Sequence, residues 1–244
     1  MDTLESVQAV VLAGGLGTRL RPVVADRPKV LADACGRSFL SYILDQLVEA
    51  GIRSILMCTG YLGEQIQQVF GAAYGGAVLS YSQEPTPLGT AGALKHALPI
   101  LESDPVLVLN GDSMCRADLA AFLGWHRRMT SRGTLLLTEV QDVSRYGSVR
   151  VDSSGRILRF DEKGGGSGPG LISVGRYLLS RELIATIPSD RAVSIERESF
   201  PEWISMGLYG YACEAPFLDI GTPDSLSRVG AFLNESGAGV SSVL

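Results

Sequence analysis

The chain of 244 residues has few of the side chains on which many catalytic sites depend. It contains two histidines, His96 and His126, and neither stands among other metal-ligating residues or near a glycine-flanked serine. A zinc site or a Ser–His–Asp triad would have to recruit one of these two. Both interpretations are disfavoured, because a lone histidine is more often a surface or packing residue.

Paired cysteines and long apolar runs are also missing. The cysteines never fall at a CxxC spacing, which predicts buried thiols rather than a disulfide framework. They are Cys35, Cys58, Cys115 and Cys213. No apolar run approaches the roughly 18 residues of a membrane span, and the N-terminus lacks the basic region of a signal peptide. We therefore expect a cytoplasmic protein with no membrane partner.

An excess of positive charge is absent too. The chain has 21 basic and 26 acidic side chains, for a formal net charge of −5. Such a balance gives no long-range attraction to nucleic acid, so none is expected as a partner. Any phosphate chemistry must then depend on a few placed cations. The 45% hydrophobic and 19% charged composition is typical of a folded protein.

Two hydrophobic periods alternate over the first two-thirds of the chain. Nearly continuous apolar runs predict strands that are buried on both faces of a sheet, and the segments between them have helical spacing. The predicted strands lie at 7–12, 54–58, 77–81, 106–109 and 134–137. The predicted helices lie at 40–51, 90–101 and 118–129. This alternation predicts an α/β fold with a doubly wound, mostly parallel sheet, which binds ligands at the carboxyl ends of its strands.

After about residue 140 the pattern changes to short alternating strands. The residue types of 152–155 predict a hairpin turn. The predicted strands lie at 147–151, 157–160, 171–179, 207–213 and 217–220. They indicate a small β region added to the sheet. We predict one domain over 1–234 and a flexible tail over 235–244.

The most specific motif, Leu12-Ala-Gly-Gly-Leu-Gly-Thr-Arg-Leu-Arg21, follows the first predicted strand. Its three glycines allow backbone N–H groups to approach an anion, and the guanidinium of Arg19 can hold two phosphate oxygens. The spacing matches neither GxxxxGK(S/T) nor GxGxxG, which argues against a P-loop and a dinucleotide site. Lys29, after Pro28, could add a point charge. A glycine-rich turn with a solvated arginine is the alternative.

Two aspartates stand at predicted strand ends. Asp112 follows the apolar run 106–110, and Asp219 lies within the strand predicted at 217–220. Together they offer two hard oxygen ligands of the kind that Mg²⁺ prefers when it bridges phosphates. The alternatives are a turn residue at Asp112 and a pre-helix residue at Asp219, since Thr222-Pro223-Asp224 predicts a helix start.

Several motifs, in the same order along nearly the whole chain, resemble those of the sugar-phosphate nucleotidyltransferases. They are LAGGLGTRLRPVVADRPKVL at 12–31, EPTPLGTAG at 84–92, NGD at 110–112, Tyr146-Gly147, Glu162-Lys163 and DIGTP at 219–223. The resemblance implies a Rossmann-like, glycosyltransferase-A-like sheet with a nucleotide half over about 1–140 and a sugar-phosphate half over about 141–234. The run Leu20 to Lys29 and the segment 145–149 are most similar to the D-glycero-α-D-manno-heptose 1-phosphate guanylyltransferases.

The resemblance also implies roles for individual residues. The implied catalytic residues are Arg19, Lys29, Asp112 and Lys163. The implied nucleotide-binding residues are Leu12, Ala13, Gly14, Gly15, Gly17, Thr18, Arg19, Lys29, Gln83, Glu84, Gly89, Thr90 and Asp112. The implied sugar-phosphate-binding residues are Tyr146, Gly147, Glu162, Lys163, Ser173, Gly175 and Asp219. The implied cofactor is Mg²⁺, held by Asp112 and Asp219. Ser173 departs from the family, many members of which have Asn there.

The implied reaction is nucleotidyl transfer without a covalent enzyme intermediate, with GTP (or another NTP) and a sugar 1-phosphate as partners. Heptose 1-phosphate is the expected acceptor, for cell-surface polysaccharide synthesis, and Glu84 is compatible with guanine because a carboxylate accepts from N1–H and the 2-amino group. Two enzymatic alternatives remain, a mannose 1-phosphate guanylyltransferase and an N-acetylmuramate 1-phosphate uridylyltransferase. A sugar-nucleotide-sensing regulatory subunit and, by fold analogy alone, a dinucleotide-dependent oxidoreductase are the others. Homo-oligomer formation stays open.

Overall fold

The computed structural model describes residues 3–15, 17, 20, 24, 26–161 and 166–234. Its strands are β1 (Gln8–Leu12), β2 (Asp33–Ala34), β3 (Arg37–Ser38), β4 (Ser54–Thr59), β5 (Ala73–Tyr74), β6 (Ala77–Gln83), β7 (Val106–Asn110), β8 (Ser113–Cys115), β9 (Gly133–Val140), β10 (Ser148–Val151), β11 (Ile157–Asp161), β12 (Gly170–Leu179), β13 (Leu208–Ala212) and β14 (Phe217–Asp219). Its α-helices are α1 (Phe39–Glu49), α2 (Gly63–Phe70), α3 (Gly89–Ala97), α4 (Leu119–Arg128), α5 (Arg181–Ala185), α6 (Phe200–Trp203), α7 (Pro223–Ser227) and α8 (Val229–Asn234). Short 3-10 or π turns occupy Leu4–Ser6, Lys29–Leu31, Leu98–Ile100, Val143–Arg145, Ile195–Ser199 and Ile204–Met206. The tail predicted over 235–244 lies outside the described residues.

One large sheet organises the fold. Its main path runs β11-β10-β12-β7-β1-β4-β6-β5, and β9 and β13 join it through β12. The four central strands β7, β1, β4 and β6 are parallel, whereas β12 is antiparallel to β7. The hairpin of β10 and β11 joins the sheet beside β12. The prediction of an α/β fold with a mostly parallel central sheet and an added β region is confirmed.

Helices cover both faces of the sheet, because the strands β1, β4 and β7 are apolar on both sides. In β1 the side chains of Ala9 and Val11 join the core beneath α1, α2 and α4, whereas Val10 joins the core beneath α3, α5 and α6. In the apolar stripe of α1, Leu40, Ile43, Leu44 and Leu47 are fully buried and Val48 is partly buried, as the spacing predicts. Within the described ranges, no helix is both long enough and apolar enough to cross a bilayer.

Local signals in the sequence account for several element boundaries. Asp118 caps α4 by accepting from Ala121 N at 2.9 Å, and Thr222 begins α7 with a capping box to Ser225. The predicted hairpin turn closes where Gly155 N donates to Asp152 O at 3.0 Å. Helix α2 was not predicted, because its short sequence GEQIQQVF has few apolar residues and follows Leu62 in a left-handed conformation (φ 58°).

The positions of the histidines and cysteines bear on the predictions that disfavoured a zinc site, a catalytic triad and disulfide bonds. His96 is exposed, and His126 is buried with its Nδ1 2.7 Å from Thr134 Oγ1, so both are surface or packing residues as predicted. Burial lowers the pKa of His126 to about 4. All four thiols are free, and Cys58 and Cys115 are buried as predicted. The prediction of burial is wrong for Cys35, which is exposed because it forms the turn between β2 and β3, and Cys213 is only partly buried.

Candidate functional site

The carboxyl ends of the central strands meet at one edge of the sheet. Backbone hydrogen bonds join the segments that follow them: Ala13 N donates to Cys58 O at 2.8 Å, and Gly111 N donates to Leu12 O at 2.9 Å. The loop after β6 joins the same edge, since Glu84 N donates to Thr59 O at 2.9 Å. The glycine motif, Glu84 and the segment before Asp112 are therefore neighbours.

Glycines allow the Glu84 carboxylate to lie directly on the backbone of this edge. A Cβ atom at Gly14 would stand 3.0 Å from Glu84 Oε1, and one at Gly60 would stand 2.5 Å from the same oxygen. Nothing lies within 4 Å of the corresponding position at Gly15, which is exposed. Gly60 was missed by sequence reasoning, and its one signal is its place directly after a buried strand. Close packing thus surrounds Glu84, whereas the backbone of Gly15 is open to a ligand.

Glu84 is also tied to the start of α3. Leu88 N donates to Glu84 Oε2 at 3.0 Å. Partial burial raises the pKa of Glu84, and the Leu88 hydrogen bond and the charge of His96 oppose part of that rise. Gln83 is the last residue of β6, directly before Glu84, and its side chain is exposed to solvent. These contacts fix a hydrogen-bond acceptor at the entrance to the segment predicted to recognise the base.

A distant segment holds the other end of that loop. Gly89 has φ +74°, and a Cβ atom there would lie 2.5 Å from Val193 O. Val193 N donates to Leu88 O at 2.8 Å, and Ile195 N donates to Thr90 Oγ1 at 2.9 Å. Thr90 therefore anchors this segment, a role that sequence reasoning missed because the two residues are 105 positions apart.

Lys29 connects the glycine motif to Asp112. Its Nζ lies 2.7 Å from Asp112 Oδ2, and the two side chains are 11% and 41% exposed respectively. Gly17 has φ +59°, and a Cβ atom there would lie 3.1 Å from Lys29 Cβ, so the loop packs on the lysine stem. The structure thus brings together Gly17, Lys29 and Asp112. Thr18 and Arg19 lie outside the described residues.

Asp112 and Asp219 are neighbours across a short two-stranded ladder. Ile220 N donates to Asp112 O at 2.9 Å, and Asp219 pairs with Ser113 where β14 meets β8. Among the residues that the structure describes, no cluster of three or more His, Cys, Asp and Glu side chains could hold a metal. Two carboxylates suit Mg²⁺, which keeps several waters and takes further oxygens from phosphates, better than a closed zinc site.

The sugar-side motifs approach the same edge from the β10–β12 region. The ring of Tyr146 meets Phe217 edge-on, with centroids 5.9 Å apart, and Phe217 begins the strand that ends at Asp219. A Cβ atom at Gly147 would lie 2.9 Å from Asp161 O. Glu162 and Lys163 follow Asp161 in the chain but lie outside the described residues.

A partly buried group of polar residues lies between this region and the end of β7. Gly175 has φ +72°, and a Cβ atom there would lie 2.7 Å from Asn110 Nδ2. Ser173 Oγ accepts from Gly175 N at 3.4 Å. The phenol of Tyr177 lies 3.4 Å from Glu196 Oε1, and burial raises its pKa well above the ordinary value. Glu196 was missed by sequence reasoning, because nothing in its local sequence points to a contact with β12.

The α/β fold gathers these residues at the carboxyl ends of its strands, where such sheets bind ligands, and the family of the chain makes it an enzyme of the transferase class. The family model described as nucleotidyl transferase matches residues 8–236, and the chain belongs to that family. The predicted resemblance to the nucleotidyltransferases is therefore confirmed.

Two curated relatives match most of the chain. The mannose-1-phosphate guanylyltransferase of Mycobacterium tuberculosis is 37% identical over 231 residues, which cover 93% of this chain and 64% of that protein. The D-glycero-alpha-D-manno-heptose 1-phosphate guanylyltransferase of Aneurinibacillus thermoaerophilus is 35% identical over 223 residues, which cover 91% of this chain and 96% of that protein. The chain thus spans just under two thirds of the first relative and nearly all of the second.

Solved structures share the fold. HddC from Yersinia pseudotuberculosis, in its complex with GMP-PN, matches with a TM-score of 0.83 and 32% identity over 93% of this chain and 99% of that chain. A putative glucose-1-phosphate thymidylyltransferase from Bacillus anthracis matches with a TM-score of 0.82 at 22% identity, which concerns the fold alone.

Proposed function

We propose that this protein is a guanylyltransferase that condenses GTP with D-glycero-α-D-manno-heptose 1-phosphate to GDP-heptose and pyrophosphate, for cell-surface polysaccharide synthesis. The observation that carries the choice is the similarity of the run Leu20 to Lys29 and of the segment 145–149 to the heptose 1-phosphate guanylyltransferases. It is supported by 35% identity to the heptose enzyme of Aneurinibacillus thermoaerophilus over 91% of this chain. Mannose 1-phosphate is the second candidate acceptor, because the mannose enzyme of Mycobacterium tuberculosis is 37% identical.

The proposed base site is the Glu84 carboxylate. Leu88 N–H fixes Oε2, while Oε1 lies at the backbone of Gly14 and Gly60. An ionised carboxylate has only acceptors, and guanine presents two adjacent donors, N1–H and the 2-amino group. Uracil and thymine present a single N–H, so this arrangement supports GTP over UTP or dTTP.

The proposed phosphate site is the glycine loop with its cations. The exposed backbone at Gly15 is open to the β- and γ-phosphates, and Arg19 is assigned to the same groups. Lys29 is assigned to the α-phosphate and Lys163 to the phosphate of the sugar. Transfer of a nucleotidyl group depends on in-line positioning and on neutralised charge more than on a protein nucleophile.

Asp112 and Asp219 are the proposed Mg²⁺ ligands. When bound, the metal would supply positive charge to offset that of the phosphates. In the free protein Asp112 is paired with Lys29 at 2.7 Å. Separation of this pair would release the carboxylate for the metal and the ammonium for the α-phosphate, so one ion pair keeps both groups in place before substrate arrives.

The proposed sugar site lies along the β10–β12 side. Tyr146, Gly147, Glu162, Ser173 and Gly175 are assigned to the sugar phosphate, with Glu162 as an acceptor for hydroxyl groups. Gly175 has a left-handed conformation, and the lack of a side chain there lets β12 lie close to Asn110. The proposed sugar site is therefore next to the strand that leads to Asp112.

A matrix of four NTPs against several sugar 1-phosphates, measured by pyrophosphate release with Mg²⁺, tests the proposal. We expect the highest kcat/KM for GTP with heptose 1-phosphate. Better turnover with UTP or dTTP would refute the base assignment, and better turnover with mannose 1-phosphate would refute the sugar assignment. Absence of pyrophosphate release from every pair would favour a regulatory subunit.

A further inference from the structure

One segment of the chain, 193–196, contacts two distant parts of the candidate site. At one end, Val193 N donates to Leu88 O at 2.8 Å, in the loop predicted to recognise the base. At the other end, the phenol of Tyr177 donates to Glu196 Oε1 at 3.4 Å. Tyr177 belongs to β12, which borders the proposed sugar site. The segment therefore connects the base loop with the sugar side.

Thr90 holds the middle of this segment through its side chain. Ile195 N donates to Thr90 Oγ1 at 2.9 Å, and Ile195 is 1% exposed. The base loop itself does not depend on this hydroxyl, because Val193 O accepts from Ala91 N at 3.0 Å and from Gly92 N at 3.4 Å. Loss of the hydroxyl would leave a buried N–H without this acceptor, which is unfavourable. It would thus disturb the segment beyond Val193 while the loop stays attached.

The turn that contains Glu196, Ile195–Ser199, is stiffened by hydrogen bonds of its own. Ser194 is the cap of this turn, and its N–H donates to the Glu198 carboxylate at 2.9 Å. A displacement at the start of the turn is therefore carried to Glu196 rather than absorbed between them.

The contact between Glu196 and Tyr177 bears on the proposed sugar site. Tyr177 is fully buried, and the side chains of Ser173 and Asn110 also form hydrogen bonds with its phenol. Ser173 is assigned to the sugar phosphate, and Asn110 ends the strand that leads to Asp112. A phenol has a single O–H to donate, so its donation to Glu196 requires the other neighbours to donate to it. A displaced Glu196 would free that O–H and change the hydrogen bonding of Ser173.

We propose that Thr90 is a positioning residue for the sugar side of the site, because its hydroxyl holds Ile195 and so keeps Glu196 at Tyr177. A residue of the segment predicted to recognise the base thus serves the binding of the sugar 1-phosphate. The inference rests on the proposed function, since it assigns the effect to the acceptor of the nucleotidyl group.

The kinetics of Thr90→Val test this role, with the NTP and the sugar 1-phosphate that the wild-type protein uses best. Pyrophosphate release gives a separate KM for each substrate. We expect the KM for the sugar 1-phosphate to rise about three- to tenfold, the range of one lost hydrogen bond, while the KM for the NTP stays unchanged. Thr90→Ser keeps the hydroxyl and should restore the wild-type KM. A general structural defect would instead lower the Tm and raise both KM values.

A double-mutant cycle tests whether Thr90 acts through Glu196. Both residues are exposed, so we expect Thr90→Val, Glu196→Ala and the double variant to fold. The double variant should have the same KM for the sugar 1-phosphate as Glu196→Ala alone, because the effects of residues that act through each other do not add. Glu202→Ala, at an exposed carboxylate of α6, is the matched control and should keep both wild-type KM values.

Hydrogen–deuterium exchange on the full chain examines the same contact without turnover. The Ile195 amide should exchange several-fold faster in Thr90→Val and at the wild-type rate in Thr90→Ser. Three results would overturn the proposal: unchanged exchange in Thr90→Val, a raised KM for the NTP in that variant, or effects that multiply in the double variant. A wild-type protein that releases no pyrophosphate with any substrate pair would refute the proposed function instead. The exchange rates would then still decide whether Thr90 holds the segment.

Discussion

The two sides of the carboxyl edge are built in different ways. On the proposed phosphate side, Lys29 and Asp112 form an ion pair whose carboxylate is 41% exposed. On the proposed base side, Glu84 lies where the backbone of Gly14 and Gly60 leaves no space for a side chain. The first arrangement depends on charge, which acts over several ångströms and allows movement, whereas the second depends on close contact.

This difference matches the two parts of the proposed nucleotide substrate, its triphosphate and its base. A triphosphate that is repositioned during the reaction needs charges that can change partners, and Lys29 and Asp112 can separate at modest cost because water reaches the carboxylate. A planar base needs a rigid acceptor. We therefore expect the phosphate side to respond to loss of charge and the base side to respond to added volume.

The largest effect is expected for Asp112→Asn. It removes a proposed charged metal ligand and leaves Lys29, whose side chain is only 11% exposed, without a negatively charged partner. Pyrophosphate release should fall by on the order of 10²-fold or more, and a thermal melt should show that the variant still folds. Asp224→Asn, at an exposed position in α7, is the matched control and should keep full activity. An Asp112→Asn enzyme with normal turnover would place the metal elsewhere.

Lys29→Met should come next. The substitution keeps an apolar stem for Gly17 to pack on but removes the ammonium, which is one charge-assisted hydrogen bond to a phosphate. We expect kcat/KM for GTP to fall roughly ten- to a hundredfold. Lys95→Met is the control, since the Lys95 ammonium instead binds Ala185 O. A loss larger than that of Asp112→Asn would reverse the order of importance within the ion pair.

The sequence predicts the phosphate side better than the base side. Asp112 follows a run of apolar residues, so a buried strand and the position of its carboxyl end are both local properties. The apolar stripe of α1 and the cap of α7 are local too, and both predictions are confirmed by the structure.

The base side combines residues whose proximity depends on the pairing of strands. Gly60 meets Glu84 because β4 and β6 are neighbours in the sheet, and Thr90 meets Ile195 across 105 residues. No periodicity within one segment encodes such contacts. The exposure of Cys35 also depends on strand pairing. The turn between the paired strands β2 and β3 lies outside the main sheet and leaves the Cys35 thiol uncovered.

Gly60→Ala probes the close contact on the base side. The new Cβ atom would stand 2.5 Å from Glu84 Oε1 and 2.9 Å from Gly14 O, so the carboxylate and the glycine loop must both move. We expect a loss of about 1–3 kcal/mol in the free energy of unfolding, together with a several-fold higher KM for GTP. Gly124→Ala, within α4 and with no backbone crowding, is the control and should be neutral or slightly stabilising. An unchanged KM in a stable Gly60→Ala variant would show that the base side tolerates volume.

The smallest effect on stability is expected for Glu84→Gln, which keeps the shape of the side chain and removes its charge. Because burial raises the pKa of Glu84 above its ordinary value of 4.5, the folded state binds this proton more tightly than the unfolded state does. The stability that protonation contributes is fully present below the unfolded pKa and is lost as pH rises through the folded pKa.

Denaturant titrations of the two proteins, from pH 4 upward, measure this difference directly. The wild-type free energy of unfolding should decline relative to that of Glu84→Gln as pH rises above about 4.5. Parallel pH profiles would show that the Glu84 carboxylate is solvated as an ordinary surface group. Glu84 would then not be the rigid acceptor that distinguishes the proposed base side from the proposed phosphate side. At neutral pH the variant should also bind GTP less tightly, by about tenfold, because a charged acceptor is replaced by an amide. His126 titrates alike in both proteins, so it cancels from the difference between the two profiles.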